Sequence, residues 1–221
     1  MEIYEALYTT RAMRRVKKDP IPQDVQQRIM DAAIRAPSGG NAQGWRFLLV
    51  DDAAIKGQLG PIYRECADML FNNHYKTQID AAAANPELPE SIKFNKMHRS
   101  AQYLADNFED YPLFLFGFTQ GDTSGGSIFP AIWNAMLAAR AEGVGTAITS
   151  ILAFKLQETL AILNVPQDKG WNFAACVSMG YPTGKWGVAP RRPVHEVSYR
   201  NTWGEPLGFE INEPLWQPDE Q

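Results

Sequence analysis

The chain has 221 residues, 45% of them hydrophobic and 21% charged, enough for one substantial core and within the range of a single domain. Its formal net charge of −4 argues against a general nucleic-acid binder, which needs a net basic face, and its richest apolar run, YPLFLFGF at 111–118, is far shorter than the ~20 residues of a membrane span. The histidines His74, His98 and His195 show no ligand spacing and Cys66 and Cys176 stand far apart outside any C-x-x-C, so no metal site is expected and both cysteines read as buried reduced thiols.

In chain order, residues 2–8 predict a short helix, and no apolar stretch follows a basic start, so no secretory signal is expected and a cytoplasmic location is. A basic segment, TTRAMRRVKKDP, follows. Pro20 and Pro22 stop it and open the next helix, since proline suits a first helical turn. From Gln23 to Arg35, Val25, Ile29, Ala32, Ala33 and Ala36 keep to one face, the mark of an amphipathic helix, and Pro37 ends it. WRFLLV, 45–50, reads as a buried strand closed by Asp51 and Asp52. Residues 53–110 are polar, alanine-rich and dotted with aromatics; they read as helices over the core, broken at NPELPES. LFLFGF, 113–118, is a second interior strand, and GDTSGGS a loop.

The stretch FPAIWNAMLAARAEGVG, 129–145, is apolar nearly all round, with Arg140 and Glu142 only at its end. Such a helix is buried on every side, by its own sheet or by a second subunit. Gly143 and Gly145 are expected to end it. TAITSIL continues as an extended piece, KLQETLAILNVP is a helix stopped by Pro166, and WNFAACVSMGYP, 171–182, is a third interior strand. The tail carries Trp186, Trp203, Phe209 and Trp216 with little regular pattern, and large aromatics there need a covering surface.

Three features could carry chemistry. One is the basic cluster Arg11, Arg14, Arg15, Lys17 and Lys18. Another is the turn APSGGNAQGW, with Ser38, Asn41, Gln43 and Trp45. The last is the pair Arg191 and Arg192. Arginine forks suit phosphate, because they donate parallel charge-assisted hydrogen bonds; terminal arginines are also ordinary solvated surface, and a Pro-Ser-Gly-Gly turn is also an ordinary loop. Gly143-Val-Gly145 is no dinucleotide fingerprint, and Ser38 lacks the G-x-S-x-G context of a nucleophile.

The succession TTRAMRR…P, APSGGNAQGWRF, AIWNAMLAARAEGVGT and GYPTGKWG…PRRPVHEV resembles the FMN-dependent nitroreductase superfamily, from Ile3 to about Trp203 and most weakly over 53–110. The resemblance implies an α+β, three-layer fold, with a mixed, mostly antiparallel sheet flanked by helices, in an intertwined homodimer holding FMN at the subunit interface. It implies one domain over 1–221, in which 53–110 is a variable helical lid and 200–221 wraps the partner. The helix at 129–142 would pack on its mate.

Carried over by position, Arg11 would reach the flavin phosphate and Arg14 the N1/C2=O side of the ring, with Ala12 and Arg15 in the same basic motif. Arg191 and Arg192 match a phosphate-binding pair. Pro37, Ser38, Gly39, Gly40, Asn41 and Gln43 would border the ring and ribityl chain from the other subunit, the glycines letting backbone come close to a flat ring. Thr149, Ser150 and Ile151 match the stretch whose backbone lies at the N5 edge. Thr10, Ala12 and Gly44 depart from a frequent arginine, serine and proline.

The activity so implied is stepwise transfer of hydride from NAD(P)H through FMN to a nitroaromatic or quinone, without a dedicated catalytic side chain. Phe71, His74, Tyr75, Phe94 and His98 would stack on the substrate or serve as ordinary core. Two other readings stand beside it: reductive dehalogenation of a halotyrosine, gripped by a Glu, Tyr and Lys set for which Glu65, Tyr75 and Lys76 are present, and flavin storage without turnover; a third, fragmentation of free reduced FMN by oxygen to a vitamin precursor, has nothing in the sequence pointing to it.

Overall fold

The computed structural model describes residues 1–217; residues 218–221 of the expected partner-wrapping tail lie outside them. The chain forms two compact units, Ala12–Gly184 and one assembled from both ends, Met1–Arg11 with the chain from Lys185 onward.

The larger unit is built on four strands, β1 (Trp45–Val50), β2 (Leu113–Thr119), β3 (Gly145–Thr149) and β4 (Asn172–Gly180), in the order β1-β2-β4-β3. All three strand pairings are antiparallel, and a parallel element enters as a bridge between Ala12 and Thr146. All seven residues of β2 are buried, and the alternation of a strand sends them to two different cores. Leu113 and Leu115 meet α2 (Gln23–Ala33) and α6 (Ile128–Ala141), whereas Phe114, Phe116 and Phe118 meet residues of α3 (Ala53–Met69) and of α5 (Pro89–Asp106). Helices therefore cover both faces of the sheet, giving the expected three layers. A fully buried central strand reads as continuous hydrophobic sequence for this reason.

Between Asp52 and Asp110 the chain is helical, as expected. Asp52 caps α3 by accepting from the Ile55 amide at 2.9 Å, which satisfies one of the orphan donors of a helix start. After α3 the chain makes a π-type turn, Leu70–His74, then α4 (Lys76–Ala84), and the Asn85–Leu88 break leads into α5 with Pro89 in its first turn.

Helix α6 ends as its sequence suggests at Gly143, which takes φ of +76°. Gly145 has a different part: it opens β3, and the strand predicted only as an extended piece is a full member of the sheet. The helix is not covered all round within this chain. Phe129 and Trp133, four residues apart, are 45% and 40% exposed. Beyond β3, a 3-10 turn at Ile151–Lys155 leads into α7 (Leu156–Ile162).

In the smaller unit, α1 (Ile3–Thr9) is followed by Thr10, whose hydroxyl donates to the Ala6 carbonyl at 2.7 Å. The Ala189 amide donates to the Tyr8 carbonyl, and the rings of Tyr8 and Trp216 lie 5.8 Å apart. Trp203 is 91% exposed.

Candidate functional site

The basic segment at 12–17 owes its position to its backbone. The Met13 amide donates to the Thr146 carbonyl at 2.9 Å, the Lys17 amide to the Tyr181 carbonyl at 2.8 Å, and the Thr183 amide to the Arg15 carbonyl at 3.0 Å. From beneath, the Tyr111 hydroxyl donates to the Arg14 carbonyl. Burial raises the Tyr111 pKa well above the usual phenol value, so it keeps the proton it donates.

Two glycines make this close approach possible. Gly145 and Gly180 face each other across β3 and β4. A Cβ on Gly145 would come within 2.8 Å of the Met13 Cβ, and one on Gly180 within 2.7 Å of the Val16 Cγ2. Carbon contacts settle near ~3.5–4.0 Å, so no other residue fits without moving the segment.

So held, the arginines face the helices. Half-buried Arg14 donates from Nη1 to the Ser100 hydroxyl at 3.3 Å, and the Arg15 guanidinium lies 4.7 Å over the Tyr103 ring. Ser100 and Tyr103 both belong to α5. Arg14 and Arg15 form no ion pair among the described residues, leaving their charge for something else.

Thr149, Ser150 and Ile151 follow on the same edge of the sheet. Ala12 and Met13 pair with Thr146, and past Thr146 no described segment pairs with the outer edge of β3, whose main-chain groups there are open. Below this turn, Leu152 is fully buried, and the Tyr63 hydroxyl lies 3.4 Å from the Thr149 hydroxyl. Burial pushes the Tyr63 pKa up to about 12, against a smaller opposing effect of Arg14.

The turn at 37–43 is built differently. The Ser38 hydroxyl accepts from the Gln43 amide at 3.1 Å, and the Gln43 side chain donates to Asn41 Oδ1 at 3.0 Å. Gly40, Asn41 and Gln43 all take positive φ, at 56°, 54° and 49°. Glycine is at ease in that region and asparagine tolerates it, so the turn holds a costly shape. A Cβ at Gly39 or Gly40 would meet nothing within 4 Å, so the open side of the turn faces away from its own chain. A polar cleft of about 320 Å³ adjoins it, lined by Gly39, Gly44, Gln120, Asp122 and Ser127 among others. Exposed Pro37 enters this turn directly after buried Ala36.

Sheet order separates these two elements. The turn leads into β1 at one edge, and Ala12 and Thr149–Ile151 lie along β3 at the other, with Arg14 and Arg15 running on from Ala12 past the ends of β3 and β4. Three strand spacings, roughly 14 Å, part the edges.

Among the lid aromatics, Phe71 is buried, with its ring 4.1 Å from that of His98 and 5.5 Å from that of Tyr75, while Phe94 contacts both Tyr75 and His98. His74 stands apart, stacked at 5.8 Å on the exposed ring of Phe154. Glu65 pairs with Lys155 at 2.8 Å and Lys76 with Asp80 at 3.2 Å, so the proposed zwitterion grip is engaged elsewhere.

In the smaller unit Arg11, Arg191 and Arg192 are exposed. Arg11 donates to the Lys185 carbonyl at 2.9 Å, Arg191 to that of Pro190 at 2.9 Å, and Arg192 pairs with Glu196 at 3.1 Å. Among the described residues no three His, Cys, Asp or Glu side chains are grouped to hold a metal, and no helix is long and apolar enough to cross a membrane.

Sequence reasoning missed Tyr63, Tyr111, Ser100 and Tyr103, which read as anonymous members of helices or strand ends. Their partners lie 30 or more positions away, and no local pattern marks them.

An α+β three-layer fold with a basic segment laid on the open edge of its sheet defines a class of protein. Residues 7–181 match the family described as Nitroreductase family, and the chain belongs to that family. It is 32% identical over 179 residues to a 5,6-dimethylbenzimidazole synthase of Rhodospirillum rubrum, covering 78% of each chain. It is 25% identical over 198 residues to an iodotyrosine deiodinase of Thermotoga neapolitana, covering 90% of this chain and 96% of the other. In structure it resembles an iodotyrosine deiodinase bound to FMN and 3-iodo-L-tyrosine (TM-score 0.71, 22% identity, 91% and 100% of the two chains). It also resembles the FMN-dependent nitroreductase NfnB of Mycobacterium smegmatis in complex with NADPH (TM-score 0.64, 19% identity, 88% and 95%). At such identities the structural likeness establishes the fold.

Proposed function

We propose that this chain is an FMN-dependent oxidoreductase, active as a homodimer, that passes hydride from NAD(P)H to a small flat acceptor of the nitroaromatic or quinone type. The observation that carries the reading is the split site. The turn at 37–43 is strained and open outward, Arg14 is a cation without a carboxylate partner among the described residues, and the turn leads into the β1 edge of the sheet while the segment carrying Arg14 joins it at the β3 edge. A second copy supplies the missing half of each, and the exposed Phe129 and Trp133 on α6 give it an apolar surface to cover.

The residues suit the cofactor. The open edge of β3 at Thr149–Ile151 offers main-chain groups to a ring edge, and the glycine turn of the partner can approach the ring because nothing stands above Gly39 and Gly40. Arg14 would hold a cation at the pyrimidine side, favouring the reduced form through fixed charge. Arg11, Arg191 and Arg192 are assigned to the phosphate, which Arg192 would take in exchange for Glu196. FMN supplies the two-electron exchange between donor and acceptor. The protein's part is to orient the ring, bias its potential and keep the lid rings over it.

Two relatives of the family point to other chemistry, benzimidazole synthesis and deiodination. Glu65 pairs with Lys155 and Lys76 with Asp80, solvent-exposed ion pairs that an amino-acid zwitterion can exchange as readily as a phosphate exchanges Glu196, so deiodination stands as the second reading. The test is anaerobic addition of NADH and then NADPH to the yellow protein. Bleaching within seconds, reversed by nitrofurazone and not by iodotyrosine, supports the reading; lasting colour with both donors refutes it. Arg14→Ala should weaken flavin binding by about tenfold or more while Lys17→Ala changes it little, a difference of at least ~1.4 kcal/mol.

A further inference from the structure

The lid helix α5 carries cations that no part of the proposed chemistry has used. Lys93, Lys96, Ser100 and Tyr103 follow one another at intervals of three, four and three, so they form a single row on one face. Phe94 and His98 lie on the neighbouring face, in the ring cluster. The row ends on the basic segment, because Ser100 accepts from Arg14 and Tyr103 lies under Arg15. At the rise of an α-helix, Lys96 is about 6 Å and Lys93 about 10 Å along the axis from Ser100.

Both lysines are exposed, and neither is paired with a carboxylate among the described residues. Of the acids on neighbouring elements, Asp80 holds Lys76 and Asp110 holds Lys18. Glu90 stands one turn before Lys93 without pairing to it. On a chain of net charge −4, four unpaired cations in one row form a local field of opposite sign to the whole.

We propose that the outer end of this row, Lys93 and Lys96, receives the phosphates of the hydride donor and makes the enzyme prefer NADPH over NADH. The inference rests on the oxidoreductase reading above. The ring of the donor lies by Arg14, where the flavin is assigned, and its phosphates run outward along α5. NADPH has one phosphate more than NADH, on the ribose 2′ position, and so gains most from the outer lysines. Clefts lined by one sign of charge also raise the capture rate of an oppositely charged ligand, and salt screens that gain.

The experiment compares the FMN-loaded wild type with Lys93→Glu/Lys96→Glu and Lys93→Ala/Lys96→Ala. Stopped-flow flavin reduction by NADPH should slow about tenfold at limiting donor in the reversed variant and less in the neutral one, with NADH changing no more than about twofold. Calorimetric binding of 2′,5′-ADP, which carries no hydride, should weaken in step, and 5′-AMP should bind poorly to all three. Equal reduction by both donors in the wild type, or an NADPH rate indifferent to both variants, overturns the inference and leaves the oxidoreductase reading standing. If neither donor bleaches the flavin, that reading and the donor preference fail together, and calorimetry then decides only whether the row binds phosphate: 2′,5′-ADP binding lost in the variants upholds that part, and no binding overturns it.

Discussion

Replacing Gly145 by alanine tests whether the glycine pair holds the basic segment in place. The added Cβ would lie 2.8 Å from the Met13 Cβ and 3.4 Å from the Pro182 Cβ. Ordinary contact needs about 1 Å more than the first of these. The Met13 Cβ is fixed to backbone, so the gap can open only if residues 12–14 rise from the sheet. Overpacking of this kind costs about 1–3 kcal/mol, and a chain of this size loses roughly 2–4 °C per kcal/mol, giving a Tm lower by about 2–12 °C. The same 1 Å moves Arg14, and with the flavin role proposed for it FMN affinity should fall by about tenfold or more. Differential scanning calorimetry and fluorescence titration with FMN measure the two effects. Gly57→Ala is the control: it lies in α3, with nothing within 4 Å of its Cβ, and alanine there should add about 0.5–1 kcal/mol. A Gly145→Ala protein with wild-type Tm and wild-type FMN affinity would show that the seat of the segment does not matter.

Three further outcomes are expected. Cys66 is buried and its pKa is pushed up to about 11 by that burial, and Cys176 is fully buried with its pKa raised well above normal; a disulfide reagent at pH 8 should therefore find no fast thiol until denaturant exposes both. Glu109 is held below its ordinary value first by the bidentate hydrogen bonds from Arg64, at 2.9 and 2.7 Å. Its ion pair thus adds stability above the unfolded carboxylate value near ~4.3 and loses it as pH falls through the lower folded value, so the Tm gap between wild type and Glu109→Gln should close from pH 7 to pH 3; a gap independent of pH would contradict this. Trp133→Glu, placed on the exposed side of α6, should give a monomer by light scattering with FMN affinity lowered in parallel, and a dimer that keeps its flavin would refute the shared site.

The fold was largely legible because its strongest signals are local. The β2 run is apolar at every position, so it could only be an interior strand, and the spacing of Val25, Ile29 and Ala33 fixed one face of α2. Gly145 misled, since a glycine two places past a helix end looks the same whether it caps the helix or clears room for Met13. The all-round apolar character of the stretch at 129–145 showed that something covers it, but only coordinates show that Phe129 and Trp133 are the side left open. At the site, the residue types in the basic segment and the glycine turn were visible in the sequence. The hydroxyls that position them were not, because Tyr111 reaches Arg14 across 97 positions and pattern does not extend so far.

The way the segment at 12–17 is anchored has a consequence for how such proteins diversify. The main-chain hydrogen bonds that fix its path end on the Met13 and Lys17 amides and the Arg14 and Arg15 carbonyls, while the side chains of Arg14 and Arg15 reach Ser100 and Tyr103 of α5. The side chains at 14 and 15 can therefore change at the cost of one contact each to α5, with the main-chain ties left in place. Descendants could trade one of these guanidinium groups for another side chain in a single mutational step, trying new tasks on an unaltered chassis.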